Sequence, residues 1–206
     1  MAVNSTLFNV TNNTHGQLGN QHILVFLTPV LSSTNCVYAA WQKLNPGEGA
    51  TQPFTLNQNI SATVTTSNGT MSAPVTISPS YLSQVTNPDG LSPVLGTPQL
   101  SQNVTPQQAG VQNTTSTAFE EVNVNWSVNG NLVVSTKTPL TASAFSTFEL
   151  RTSLYWCVGS SEQEKAYTLG EITPLQSYAL EAGTSIVNVS VTYDKATGKY
   201  GYAFTS

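Results

Sequence analysis

The stretch from residue 122 to residue 134 constrains the fold more than any other part of the sequence. Its first half, VNVNWSV, alternates apolar residues with Asn and Ser, which predicts a strand with one apolar and one polar side. Asn129-Gly130 follows, a pair that readily adopts the positive φ angles of a two-residue turn, and the apolar run Leu132-Val133-Val134 comes next. Together these features predict a β-hairpin.

Similar strand patterns recur along the whole chain. They cover residues 6–11, 22–28, 36–42, 54–66, 145–151, 155–158, 185–193 and 200–204. Asn68-Gly69 is a second hairpin signal, and helical patterns are almost absent, with a single turn expected at 161–166. Roughly ten short strands between Gly, Pro and Asn turns predict one all-β domain over residues 1–206, an antiparallel β-sandwich of jelly-roll or immunoglobulin-like type.

Residues 79–117 differ in character from the rest of the chain. After Pro79, four further prolines fall there among Gln, Ser, Asn and Thr, at positions 88, 93, 98 and 106. Because proline cannot donate a ladder hydrogen bond, this density argues against a long regular strand. The segment is therefore predicted to be a long irregular loop, and such loops are usually functional or mobile.

The composition excludes several classes of protein. Ser, Thr, Asn and Gln supply 83 of the 206 residues, whereas 8% of residues are charged, against about 25% in an average soluble domain. Six basic residues and a net charge of -4 exclude a nucleic-acid-binding surface. Low charge also leaves edge strands open to pairing, so a homodimer is expected.

The N-terminus and the cysteines bear on the compartment. No basic segment precedes an apolar run of signal-peptide length, and no run is long enough to span a membrane, which predicts a cytoplasmic protein, or a secreted one whose leader has been removed. Cys36 and Cys157 lie in apolar, aromatic stretches, which favours buried free thiols, with a single disulfide as the alternative.

Residues for metal binding and catalysis are few. Asp89, in an Asn-Pro-Asp-Gly turn, and Asp194, after Tyr193, are the candidate ligands for a Ca²⁺ ion, which accepts carboxylate and carbonyl oxygens. Both are more often turn residues. His15 and His22 lie near the N-terminus and are best interpreted as a loop residue and a strand-edge residue, so no catalytic residue is assigned.

Ligand binding is the function that the residues favour. Aromatic side chains cluster near carboxamides, and the best candidates are Trp41, Tyr155, Trp156 and Tyr202. A ring face beside amide groups binds a sugar or a flat conjugated molecule. We therefore expect a non-catalytic site for a glycan or a small pigment, oriented by Asn and Gln side chains of residues 79–117, with no required cofactor.

Two other functions remain open. A membrane-active, pore-forming toxin would combine a tyrosine-rich surface with an amphipathic N-terminal segment. A glycoside hydrolase would need two converging carboxylates. Glu120 and Glu121 cannot supply them together, since neighbouring residues of a strand point to opposite sides.

Short motifs resemble those of known β-rich proteins. The motifs are Ala40-Trp41-Gln42, Pro46-Gly47-Glu48-Gly49, Pro53-Phe54, Phe148-Glu149-Leu150 and Leu154-Tyr155-Trp156. They resemble a loosely defined group of small leaderless β-sandwich proteins of fungi and bacteria. The charge-poor, aromatic character is also similar to that of mushroom fruiting-body lectins and a pigment-binding chromoprotein. This resemblance implies a lectin-like or chromoprotein function and assigns no site residue.

Overall fold

The computed structural model describes residues 5–31, 35–88, 91–115, 121–160, 167–168 and 175–206. Within these ranges the chain forms β-strands and no helix, and hence none that could cross a membrane. The strands are β1 Ser5–Asn13, β2 Gln21–Leu27, β3 Val30–Leu31, β4 Cys36–Tyr38, β5 Gln42–Leu44, β6 Thr51–Asn57, β7 Ile60–Thr66, β8 Val75–Thr76, β9 Tyr81–Thr86, β10 Val94–Leu95, β11 Gln99–Leu100, β12 Ala109–Asn113, β13 Glu121–Val128, β14 Asn131–Thr136, β15 Leu140–Thr141, β16 Phe145–Glu149, β17 Ser153–Ser160, β18 Gln176–Ala179, β19 Ile186–Asp194 and β20 Lys199–Thr205. The prediction of an all-β protein is confirmed.

The strands group into two compact units, each built from separate parts of the chain. Unit one comprises the described residues of Met1–Leu27, Ala39–Gln58 and Thr152–Ser206. Unit two comprises those of Thr28–Tyr38 and Asn59–Arg151.

Unit one contains two four-stranded sheets. Their strand orders are β20-β19-β1-β6 and β18-β17-β2-β5. Side chains of β1 alternate between the two sides of the sheet. Phe8 and Val10 lie on one side and are fully buried, whereas Asn9 between them points to the other side and is half-buried. All neighbouring pairs in these sheets are antiparallel except β1 and β19, which run parallel, with Phe8 opposite Val187.

Unit two contains two six-stranded sheets. One has the order β10-β9-β12-β16-β3, with β11 also paired to β9, and the other has the order β4-β14-β13-β7-β8, with β15 paired to β13. Trp126 is fully buried and links the two sheets, since its ring lies 5.2 Å from that of Phe148 and its Nε1–H donates to Ser146 Oγ at 3.1 Å. Trp126 therefore packs as a core residue with its one polar atom satisfied.

The hairpin predicted from residues 122–134 is confirmed as β13 and β14. Asn129 and Gly130 have φ angles of 54° and 79°, which are the left-handed values that a two-residue turn requires. A second predicted hairpin, formed by β19 and β20, is also present. Both could be predicted because strand alternation and turn residues are local properties.

The described residues of 79–117 do not form the predicted irregular loop. They contain β9, β10, β11 and β12, which belong to one sheet of unit two. The four prolines lie between these strands, so short strands replace one long strand. β12 also runs parallel to β9, a pairing that the antiparallel prediction did not include.

Cys36 and Cys157 are not joined in a disulfide, as favoured from the sequence. Cys36 is buried, whereas Cys157 is half-buried.

Candidate functional site

Two of the four predicted ligand-binding rings are buried in unit one. Trp41 exposes 2% of its surface and Trp156 exposes 1%. Trp41 contacts Phe54 edge-on with the ring centroids 5.4 Å apart, and Phe54 in turn lies 6.0 Å from Trp156. These rings contact one another, and neither tryptophan presents a face to solvent.

The other two predicted rings are half-buried and lie in different surroundings. Tyr202 joins the same cluster, since its ring lies 6.0 Å from that of Trp156. Tyr155 precedes Trp156 on β17 and therefore points to the opposite side of the sheet. The structure thus brings together Trp156 and Tyr202, links Trp41 to them through Phe54, and separates Tyr155.

Two buried polar atoms of this cluster lack a hydrogen-bond partner among the described residues. They are Trp156 Nε1 and Tyr202 Oη. Burial raises the pKa of Tyr202, with smaller contributions from Cys157 and Tyr200. The phenol therefore stays protonated at neutral pH.

Of the two predicted calcium ligands, Asp194 lies in the described part of the chain. Asp89 lies outside the described residues. The carboxylate of Asp194 accepts hydrogen bonds from Thr197 Oγ1 and from the Ala196 N–H, both at 2.8 Å, and these bonds lower its pKa. The described residues contain no cluster of three or more His, Cys, Asp or Glu side chains. Asp194 acts as a turn residue.

Cys157 lacks the electrostatic surroundings of a nucleophile. Burial raises the pKa of its thiol to about 11, so the thiolate is scarce at neutral pH. His15 occupies an exposed turn with φ 56°, which agrees with its interpretation as a loop residue.

A polar groove of ≈430 Å³ lies within unit two, in the segment 79–117 that the sequence singled out. It is lined by carboxamides, hydroxyls and a few apolar groups: Leu82, Gln84, Thr86, Gly96, Thr97, Gln99, Leu100, Ser101, Asn103 and Gln112. None of these side chains is charged. Its volume lies within the range of small-molecule sites.

Parallel pairing of β9 and β12 places two carboxamides side by side in the groove. Gln84 lies opposite Gln112 in the register, and Gln84 Nε2 is 3.5 Å from Gln112 Oε1. Gln84 Oε1 and Gln112 Nε2 have no partner among the described residues. The pair therefore offers a free acceptor oxygen and free N–H donors to a ligand.

One wall of the groove includes Ser101 and Asn103, and the segment 101–108 that carries them is attached to Ser80. The Ser80 N–H donates to Gln108 O at 2.8 Å, and its carbonyl accepts from the Ser101 N–H at 3.0 Å. Ser80 Oγ donates to Pro106 O at 3.3 Å. Ser80 has φ 75°, a conformation that costs a non-glycine residue about 1–3 kcal/mol. Three hydrogen bonds to one loop compensate for this strain.

The packing of the segment 101–108 on β12 depends on a glycine. A Cβ atom on Gly110 would lie 2.6 Å from Leu82 Cδ1 and 2.6 Å from Val104 Cγ1. Leu82 and Val104 are buried, so they pack directly over the bare backbone of Gly110. The absence of a side chain at this position allows the wall to lie close to the sheet.

The sequence indicated the segment that carries this site but not its individual residues. The signal is its content of Gln and Asn between prolines, which predicts a loop that orients a ligand held by aromatic rings elsewhere. Gln84 and Gln112 are 28 positions apart in the sequence, and only the parallel pairing brings them together.

Comparison with protein-family models, with curated protein sequences and with solved structures finds no match to this chain. The resemblance to small leaderless β-sandwich proteins stays a prediction.

Proposed function

We propose that this protein binds a neutral glycan, without chemical conversion, in the carboxamide groove of unit two. The observation that carries the proposal is the pair Gln84 and Gln112, whose free amide atoms lie in a groove with no charged lining residue. Sugars present closely spaced hydroxyl groups that both donate and accept hydrogen bonds. Carboxamides match this pattern because each contains a donor and an acceptor.

The groove chemistry favours binding over hydrolysis. A glycoside hydrolase requires two carboxyl groups flanking the scissile bond. The groove lining includes no Asp or Glu, whereas hydroxyls and amides are the polar groups that orient small-molecule ligands.

The pigment hypothesis has less support than the glycan hypothesis. A flat ligand held between two rings needs them about 7 Å apart, since each stacked contact takes roughly half that distance. The aromatic pairs that include Trp156 or Phe204 have centroids 4.4–6.2 Å apart, so these rings pack on one another.

For the finer fold, we propose that each unit is a β-sandwich. In unit one, Phe8 from one sheet lies 6.2 Å from Trp156 of the other, and in unit two Trp126 and Phe148 make the corresponding contact. Aromatic contacts between the inner sides of two sheets are typical of sandwich cores.

The test is a printed array of neutral glycans from one to six sugars, followed by calorimetric titration of the glycans that bind. The double variant Gln84→Ala/Gln112→Ala is expected to weaken binding about tenfold or more, since each lost hydrogen bond contributes about 0.5–1.5 kcal/mol. Gln58→Ala is the matched control, because Gln58 is an exposed carboxamide of unit one.

Two results would contradict the proposal. One is an array without signal, and the other is an affinity that the double variant and the Gln58 control leave equally unchanged. An absorbance band in the visible range of the purified protein would favour the pigment hypothesis instead.

A further inference from the structure

We infer that the glycan chain continues from the groove onto the exposed ring of Phe145, so that the site selects neutral oligosaccharides over single sugars. This inference rests on the proposed function and specifies its ligand class.

Strand register places Phe145 beside the two carboxamides. β12 pairs with β9 on one side, with Gln112 opposite Gln84, and with β16 on the other side, with Gln112 opposite Phe145. Residues directly opposite one another in a sheet lie on the same side of it. Gln84, Gln112 and Phe145 therefore form one row across three strands.

The direction of Phe145 follows from its neighbour in the strand. Ser146 is buried and accepts the hydrogen bond from Trp126 Nε1 between the two sheets of unit two. Because successive residues of a strand point to opposite sides, Phe145 points outward. It exposes 38% of its surface, unlike Phe148, which points inward and is fully buried.

Backbone hydrogen bonds hold Phe145 at this place. The Asn113 N–H donates to Ala144 O at 3.0 Å, and the Ser143 N–H donates to Asn113 O at 2.7 Å. These bonds join the start of β16 to the end of β12. The ring is thus presented on a paired strand and needs no rearrangement to meet a ligand.

The row matches the two chemical sides of a sugar chain. A pyranose ring has an apolar side of C–H groups and an edge of hydroxyl groups, so a ring platform and a pair of amides bind complementary parts of it. Three neighbouring strands span about 10 Å between the outer two, since adjacent strands lie about 4.8 Å apart. That span exceeds one pyranose ring, and therefore a single sugar cannot engage the whole row.

The experiment measures affinity against chain length. The probes are the mono-, di- and trisaccharides of glucose, galactose, mannose and N-acetylglucosamine, titrated into the wild type and into Phe145→Ala, Phe145→Leu and Phe145→Tyr. Leu132→Ala is the control, because Leu132 is also apolar and exposed but lies on β14, in the other sheet of unit two.

For the wild type we expect the affinity to rise from monosaccharide to disaccharide. Phe145→Ala and Phe145→Leu are expected to remove that rise, a loss of about three- to tenfold for a stacked ring, and to leave the monosaccharide affinity unchanged. Phe145→Tyr is expected to retain the rise, since it keeps the ring, and the Leu132 control is expected to behave as the wild type.

The experiment distinguishes a failure of the inference about Phe145 from a failure of the proposed function. If the sugars bind, the Gln84/Gln112 variant weakens them, and Phe145→Ala keeps the dependence on chain length, then the inference is overturned and the proposed function stands. If no sugar binds the wild type, both are overturned.

Discussion

Replacing Gly110 by Ala tests how closely the groove wall packs on the sheet. The added Cβ would lie 2.6 Å from both Leu82 Cδ1 and Val104 Cγ1, whereas carbon atoms in contact are normally about 3.5–4.0 Å apart. Each methyl group must therefore move by about 1 Å. The φ angle of Gly110 is outside the left-handed region, so the penalty is steric and not conformational.

Two opposing effects determine how much Gly110→Ala changes the free energy of unfolding. Inserting a methyl group into a packed region costs about 1–3 kcal/mol, and two simultaneous overlaps with buried side chains place Gly110→Ala in the upper part of that range. Replacing glycine with alanine also lowers the conformational entropy of the unfolded chain, which stabilises the folded state by about 0.4–1 kcal/mol. We expect the free energy of unfolding to fall by about 1–2 kcal/mol.

The assay is urea-induced unfolding followed by tryptophan fluorescence, with Gly96→Ala as the matched control. Gly96 lines the groove, and a Cβ there would meet only Gln84 O, at an ordinary 3.6 Å. The control is expected to be as stable as the wild type or slightly more stable.

A second substitution separates steric overlap from other causes. Val104→Ala removes one of the two colliding methyl groups, so Gly110→Ala should cost about 1 kcal/mol less in that background. The reasoning is refuted if Gly110→Ala is as stable as Gly96→Ala, or if its cost is the same with and without Val104.

Three further predictions concern a strained residue, a buried amide and a thiol. Ser80→Val should accelerate hydrogen exchange at the Ser101 amide, which donates to the Ser80 carbonyl, because a β-branched residue disfavours φ 75°. Ser80→Gly should not accelerate it, since glycine adopts this φ angle without strain. Equal exchange rates in the Val and Gly variants would refute the assigned strain. Asn113→Ala should lower the free energy of unfolding by about 2–4 kcal/mol in urea titrations, since the fully buried amide donates to Leu140 O and accepts two further bonds; a loss below about 0.5 kcal/mol would contradict this. The Cys157 thiol should titrate near pH 11 when thiolate absorbance is followed in a Cys36→Ser background. Because its folded pKa is raised above the unfolded value, its stabilising effect is complete below about pH 8.5 and is lost as the pH rises toward 11. A midpoint near 8.5 would show that the thiol is not desolvated.

Much of the secondary structure could be predicted because its signals are local. The hairpin of β13 and β14 depends on alternation along one strand and on the left-handed conformation of Asn129 and Gly130. The loop predicted for residues 79–117 was wrong for a related reason. Proline density showed that no long strand could form there, but it carried no information about short strands that gain their hydrogen bonds from distant partners.

The candidate site could be predicted only as a type of chemistry. Carboxamides in residues 79–117 indicated an uncharged polar site, and the groove lies there. Trp41 and Trp156 are predicted from the sequence as ligand-binding rings, but both are buried. The sequence shows which residues alternate on β17, but it does not show which side of the strand another sheet covers. Phe145 was not singled out, because its exposure depends on that same choice.

The sequence by itself determined the strands, the tight turns and a surface that is polar without being charged. These depend on side-chain alternation, on backbone preferences and on composition, all of which act over a few residues. Only the tertiary structure decided that β12 lies between β9 and β16, which places Gln84, Gln112 and Phe145 in one row. Pairing between distant strands depends on the free energy of the assembled sheets, and short-range patterns carry little of that information.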